Sequence, residues 1–180
     1  DSYGSRGLGD VYKRQEELFT HDGSGTLIAQ NPYEQARGAE IEDIASILEL
    51  IRPLEQSGTL VRRSRERLEE EISHFSILER DGRVLACAAL YPYRDERVGE
   101  IACVATHPDY QGAGRARQLL SELLNQAKDQ SLDHVFVLTT QSTHWFLEQG
   151  FETASLEQLP VEKKRLYNWQ RSASVLRRAV

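Results

Sequence analysis

Glycine and alanine crowd one short stretch of this chain, Gln111-Gly112-Ala113-Gly114-Arg115-Ala116, between an apolar run and a run of leucines at helical spacing. Gly112, Ala113, Gly114 and Ala116 leave little or no side chain where that helix begins. An anion can therefore reach the free backbone N–H groups of the first turn, at the positive end of the helix dipole. The chemistry implied is phosphate recognition. A nucleotide P-loop would need a Lys-Ser/Thr pair after its last glycine, whereas Arg115-Ala116 follows Gly114. A dinucleotide site would need three spaced glycines and an acidic residue on the next strand, and only Gly112 and Gly114 are present. The plainer alternative is a tight turn with close helix–strand packing.

Upstream of this turn, Glu100 stands three residues before Cys103 among Ile101, Ala102 and Val104. A carboxylate in such surroundings loses hydration, which raises its pKa and suits it to take a proton, directly or through water. An edge-facing or ion-paired glutamate is the bland reading. Cys87 and Cys103 both lie in apolar runs and read as small buried thiols. Neither a disulfide nor a zinc site is expected from two thiols without clustered histidines, and His107 and His144 lack a paired spacing. No metal is expected.

The elements that must position these residues follow from periodicity. Ile41, Ile44, Leu48 and Ile51 predict an amphipathic helix that Pro53 helps to end. Ser64 can cap a second helix with Leu68 and Ile72 on one face. Residues 75–79, the turn Asp81-Gly82 and residues 83–90 read as a β-hairpin. Residues 98–105 read as a strand, and residues 113–126 as a helix with a stripe of Leu119, Leu120, Leu123 and Leu124. A strand over 134–139, a helix over 143–149 ended by Gly150 and a strand over 151–155 come next. A charged helix after Pro160 and a last stretch over 172–176 complete the pattern. The order α-α-β-β-β-α-β-α-β implies an α/β fold with a mixed sheet. Residues 1–15 read as a non-native tail, and a strand is expected over 25–29.

Composition narrows the partners. The chain has 180 residues and a formal charge of −6, with no basic block, so nucleic acid is a poor partner. No apolar run approaches the roughly 20 residues that span a bilayer, and residues 1–15 lack a secretory core. The expected compartment is the cytoplasm, with no membrane partner.

Gln111-x-x-Gly114-x-Ala116, after a strand and opening a helix, resembles the acetyl-coenzyme A signature of the GNAT superfamily of N-acetyltransferases. His144-Trp145-Phe146-Leu147-Glu148-Gln149-Gly150-Phe151 resembles that superfamily's later aromatic element, which flanks the cofactor's far arm. Residues 47–55, 60–65, 86–92 and 166–171 look more specifically like the bacterial amino-acid N-acetyltransferases of the N-acetylglutamate synthase type, a likeness running over roughly residues 16–180. That family carries an N-terminal amino-acid-kinase-like domain that binds arginine as feedback inhibitor. Residues 16–35 are expected to be a remnant of that domain or a linker, and residues 36–180 the acetyltransferase domain. Arginine regulation and ring-like assembly are therefore left open, with self-association to a homo-oligomer as one expected outcome.

What the resemblance implies is a mixed sheet whose central strands splay, with acetyl-coenzyme A held where residues 98–105 part from residues 134–139. Gln111, Gly112, Ala113, Gly114, Arg115, Ala116 and Phe146 are the expected cofactor contacts. Backbone N–H groups at Cys103 and Val104 would face the thioester and stabilise its oxyanion, a contact worth about 3 kcal/mol. Direct acetyl transfer is the family's habit, so the Cys103 thiol is a weak candidate nucleophile, having no identifiable base neighbour. Glu100 is the expected base. Phe146 stands where many superfamily members place an acidic tyrosine, and the closer likeness points instead to Thr139, with Thr140 and Ser142 as rivals. Arg63 and Arg171 match positions of substrate contact, and arginine is the side chain that clamps carboxylates; Arg62 is an equal neighbour by composition. The function implied is acetyl transfer to the α-amine of L-glutamate, the entry step of arginine biosynthesis. The alternatives are another amine substrate or a catalytically inactive coenzyme A module.

Overall fold

The computed structural model describes residues 33–167 and 172–180. The chain divides into two compact units, residues 1–35 and 36–180; the strand expected over 25–29 lies outside the described residues, and so does Arg171. In chain order the elements are β1 (Glu34–Gly38), α1 (Ile44–Gln56), α2 (Arg65–Glu71), β2 (Phe75–Arg80), β3 (Arg83–Tyr93), β4 (Val98–Thr106), α3 (Arg115–Asp129), β5 (His134–Thr139), α4 (Thr143–Glu148), β6 (Glu152–Thr153), α5 (Val161–Leu166) and β7 (Ser174–Ala179). The described strands form one seven-stranded sheet in the order β1-β2-β3-β4-β5-β7-β6. The α/β class with a mixed sheet is as expected. Among the described residues no helix is long and apolar enough to cross a membrane.

The strand β3 lies inside the sheet between β2 and β4, and because side chains alternate along a strand it feeds a buried cluster on each face. Ala86, Ala88 and Leu90 face a cluster built on α3 by Leu119, Leu120, Leu123 and Ala127. Cys87 and Ala89 face the opposite cluster, with Ile44, Ile47, Leu50 and Ile51 of α1. Small residues on β3 let both helices approach closely.

Four expectations are corrected. Ile41 belongs to a 3₁₀ turn over Ile41–Asp43 and is exposed. Pro53 does not end α1: its missing N–H removes one bond near the last turn, and the helix closes with Ser57 N–H donating to the Pro53 carbonyl. The helix α3 begins at Arg115, two residues later than the expected start at Ala113, because Gly112 and Gly114 hold left-handed φ of 85° and 80°. The strand expected over 151–155 shrinks to β6. Ser64 caps α2 as expected, its hydroxyl accepting from the Arg67 N–H.

Two irregularities open the sheet. Between the pairs Cys87↔Ala105 and Ala89↔Ala102, β3 contributes Ala88 alone while β4 contributes Cys103 and Val104. This is a bulge, and Cys103 takes a φ of 54° within it. The parallel strands β4 and β5 then pair only from Val98↔His134 to Glu100↔Phe136, although both continue further. Beyond Glu100 they part.

Candidate active site

The gap between β4 and β5 is the mouth of a cavity of about 1270 Å³. Its wall is continuous from Glu100 along β4 to the turn before α3, crosses to Val137, Leu138 and Thr139 of β5, and includes Trp145 and Phe146 of α4. The turn forms one end. Gly112 and Gly114 leave the space above their backbone open, a Cβ on Gly114 meeting only the Arg117 guanidinium at 3.6 Å. The first intrahelical bond runs from the Gln118 N–H to the Gly114 carbonyl. The N–H groups of Ala116 and Arg117 therefore have no intrahelical acceptor and form an anion cradle on the cavity wall. The Arg115 guanidinium folds back on the turn, donating to the Tyr110 carbonyl at 2.8 Å and lying 5.2 Å from its ring centre.

The other end holds buried charge. Arg63 is 7% exposed, and its Nε has no hydrogen-bond partner among the described residues. Burial works against its charge, but Cys103, Tyr91 and Glu100 outweigh that and hold the guanidinium firmly protonated. Its position is fixed from behind. The Arg63 N–H donates to buried Glu55, its carbonyl accepts from Arg52, and Arg52 also pairs with Glu55. The guanidinium lies 5.9 Å from the Tyr91 ring, whose hydroxyl donates to Glu71 at 2.7 Å. Burial pushes Glu71 up, yet its bonds from Arg67 and Tyr91 hold it below the usual carboxylate range.

Glu100 is equally buried, and its carboxylate meets the Lys163 ammonium at 3.1 Å. The isolated, desolvated carboxyl expected from the sequence is thus an ion pair with α5. Cys103 is 2% exposed, and burial pushes its thiol up to about 11 against the opposing charge of Arg63. A thiol held protonated in this way is a poor nucleophile. The Thr139 hydroxyl oxygen accepts from the Ser142 N–H at 2.9 Å, which leaves its proton free to donate. Thr140 is not part of the wall, and its hydroxyl is buried without a partner among the described residues.

The cavity brings together Arg63, Glu100, Cys103, Val104, Gln111, Gly112, Gly114, Arg115, Ala116, Thr139 and Phe146. Ala113 is left out: the two left-handed glycines around it leave it exposed and off the wall. Sequence reasoning missed Lys163, Arg67 and Trp145, which also line the cavity. Trp145 could have been found beside Phe146 in the aromatic element. Lys163 could not, since Lys163, Lys164 and Arg165 are chemically alike until packing selects one.

The acetyltransferase (GNAT) family matches residues 26–151 of this chain. An amino-acid acetyltransferase of Photobacterium profundum is 59% identical over 165 residues, which is 92% of this chain and 37% of that protein. Its counterpart in Proteus mirabilis is 56% identical over 161 residues, 89% of this chain and 36% of that protein. Among solved structures, N-acetylglutamate synthase from Neisseria gonorrhoeae, complexed with coenzyme A and N-acetyl-glutamate, matches with a TM-score of 0.80 and 41% identity. That match covers 84% of this chain and 36% of the other. The chain spans little more than a third of the length of these relatives.

Proposed function

The chain belongs to the acetyltransferase (GNAT) family, and from that premise we propose that it moves the acetyl group of acetyl-coenzyme A onto the α-amine of L-glutamate. The observation that carries this reading is the cavity's two-ended chemistry. The Ala116 and Arg117 amides at the start of α3, with no intrahelical acceptor, lie at one end, and a buried arginine with an open Nε lies at the other. The first suits the diphosphate of coenzyme A, and the second a carboxylate of the acceptor. The names of the relatives point the same way.

In this reading Ala116 and Arg117 donate backbone N–H groups to phosphate, while Trp145 and Phe146 flank the cofactor's arm. The amides of the bulge at Cys103 and Val104 donate to the carbonyl oxygen as negative charge grows there. Glu100 accepts a proton from the α-ammonium, so that nitrogen can bond to the acetyl carbon as the carbon–sulfur bond breaks. The nitrogen sheds two protons in all. One leaves through Glu100, and the other replaces the proton that Thr139 gives to the departing sulfur. Arg63 holds one carboxylate, and Arg171 is proposed for the other on its sequence motif alone. The reading calls for two small-molecule partners and no nucleic acid.

A thiol-release assay over the twenty amino acids tests this. Glutamate is the expected acceptor, and Arg63→Ala should raise its KM by on the order of 30-fold or more, the usual effect of deleting one member of a buried charge pair. The KM for acetyl-coenzyme A should stay where it is. Release that prefers another acceptor, or an unmoved glutamate KM, ends the assignment.

A further inference from the structure

The ion pair between Glu100 and Lys163 is the feature the proposed chemistry leaves unexplained. Their side chains are 9% and 20% exposed, and the charged atoms stand 3.1 Å apart on the wall of the cavity. Arg63 faces Glu100 from the loop before α2, Cys103 from β4 and Tyr93 from β3, but only Lys163 makes an ion pair with it among the described residues. A carboxylate bound to an ammonium in this way is not free to take a proton from substrate. Separating the two without replacement would strand two charges out of water, which proteins pay for heavily.

An α-amino acid offers the replacement, because it carries an ammonium and a carboxylate on one carbon. We propose that the zwitterionic end of the acceptor inserts into the Glu100–Lys163 pair, its α-ammonium taking the place of Lys163 at Glu100 and its α-carboxylate taking the place of Glu100 at Lys163. The inference rests on the glutamate reading above. After the exchange every charge keeps an opposite neighbour, and Glu100 faces the proton it must remove. Lys163 thereby becomes a specificity residue: an amine without an adjacent carboxylate would free Glu100 only by leaving the Lys163 ammonium unpaired. Arg63, with its open Nε, stays available for the acceptor's side-chain carboxylate, and Lys163 shares the α-carboxylate with Arg171. The exchange needs no rearrangement of the sheet. Lys163 sits on the six-residue helix α5, where Leu166 and the following Tyr167 also border the cavity, and its long side chain can swing from one oxygen to another.

The experiment compares L-glutamate with L-isoglutamine, in which the α-carboxylate is a neutral amide, using L-glutamine as the side-chain control. In the parent protein kcat/KM for isoglutamine should lie at least roughly 30-fold below that for glutamate. In Lys163→Gln the glutamate value should fall by the same order while isoglutamine falls far less, so that the gap closes; Lys163→Arg should keep the gap open. A lysine that only pins α5 to the sheet would instead lower all acceptors together. The proposal is overturned if the gap survives in Lys163→Gln. It is also overturned if isoglutamine serves the parent protein as well as glutamate, a result that needs no variant to fold. Turnover of glutamate with no penalty for the α-amide defeats the exchange and spares the functional reading. A parent protein that acetylates neither defeats both.

Discussion

Burying a carboxylate calls for a partner of opposite charge, and for Glu100 on the cavity wall that partner is Lys163. The residue type of Glu100 was readable from its apolar neighbours Ile101, Ala102 and Cys103, and so was the chemical suitability of Arg63. Their surroundings were not readable, because the partners come from distant segments: Lys163 from α5, Tyr91 from β3, Glu55 from α1. The general-base role is the part open to direct test. In Glu100→Gln the amide keeps the shape but cannot take up a proton, so kcat should drop by about 10²- to 10⁴-fold. Calorimetric binding of coenzyme A should be unaffected, since the phosphate cradle lies at the far end of the cavity. A glutamine variant that turns over at close to the parent rate removes Glu100 from the proton's path.

The helix α3 was legible as an element, and its start was not. Small residues at 112–116 announce that something approaches the backbone, but they do not say that both Gly112 and Gly114 adopt left-handed conformations and delay the first helical residue to Arg115. The bulge in β4 gave no local sign at all, since the residue bent into positive φ is Cys103 and not a glycine. That bend is sustained by pairing on either side, with Cys87 against Ala105 and Ala89 against Ala102. The turn makes a prediction of its own. In Gly114→Ala a Cβ would be forced into a φ of 80°, a strain on the order of 1 kcal/mol. Relief of that strain would tilt the first amides of α3 away from bound phosphate. KM for acetyl-coenzyme A should rise about 10-fold, as for one lost charge-assisted hydrogen bond, while the glutamate KM stays put. Steady-state kinetics varying each substrate in turn will show whether the two constants separate in this way.

Across the whole molecule, alternation along β3 and the leucine stripe of α3 made the two-faced core readable, whereas the parting of β4 from β5 depends on pairings that no single segment encodes. Close packing between α1 and the sheet also fixes how the molecule answers to alkali. Cys87 and Cys103 both lie in the α1-side cluster. Burial raises the Cys87 thiol strongly and moves Cys103 from 9.0 to about 11. Burial likewise raises the Tyr91 phenol. A group with a raised folded-state pKa holds its proton when the unfolded chain has already released it. For Cys103 the resulting contribution to stability is complete below about pH 9 and is lost as the pH climbs toward 11; for Cys87 the loss starts at the same pH and continues further up. Each buried thiol should subtract up to about 1.4 kcal/mol per pH unit in that window. Urea unfolding at pH 8 and pH 10 measures the effect, and a Cys87→Ala, Cys103→Ala double variant supplies the reference. The cavities it creates lower stability equally at both values, so only the pH-dependent difference reports the thiols. The parent should lose more stability than the double variant between the two conditions, and equal losses would mean that the thiols titrate as they do in water.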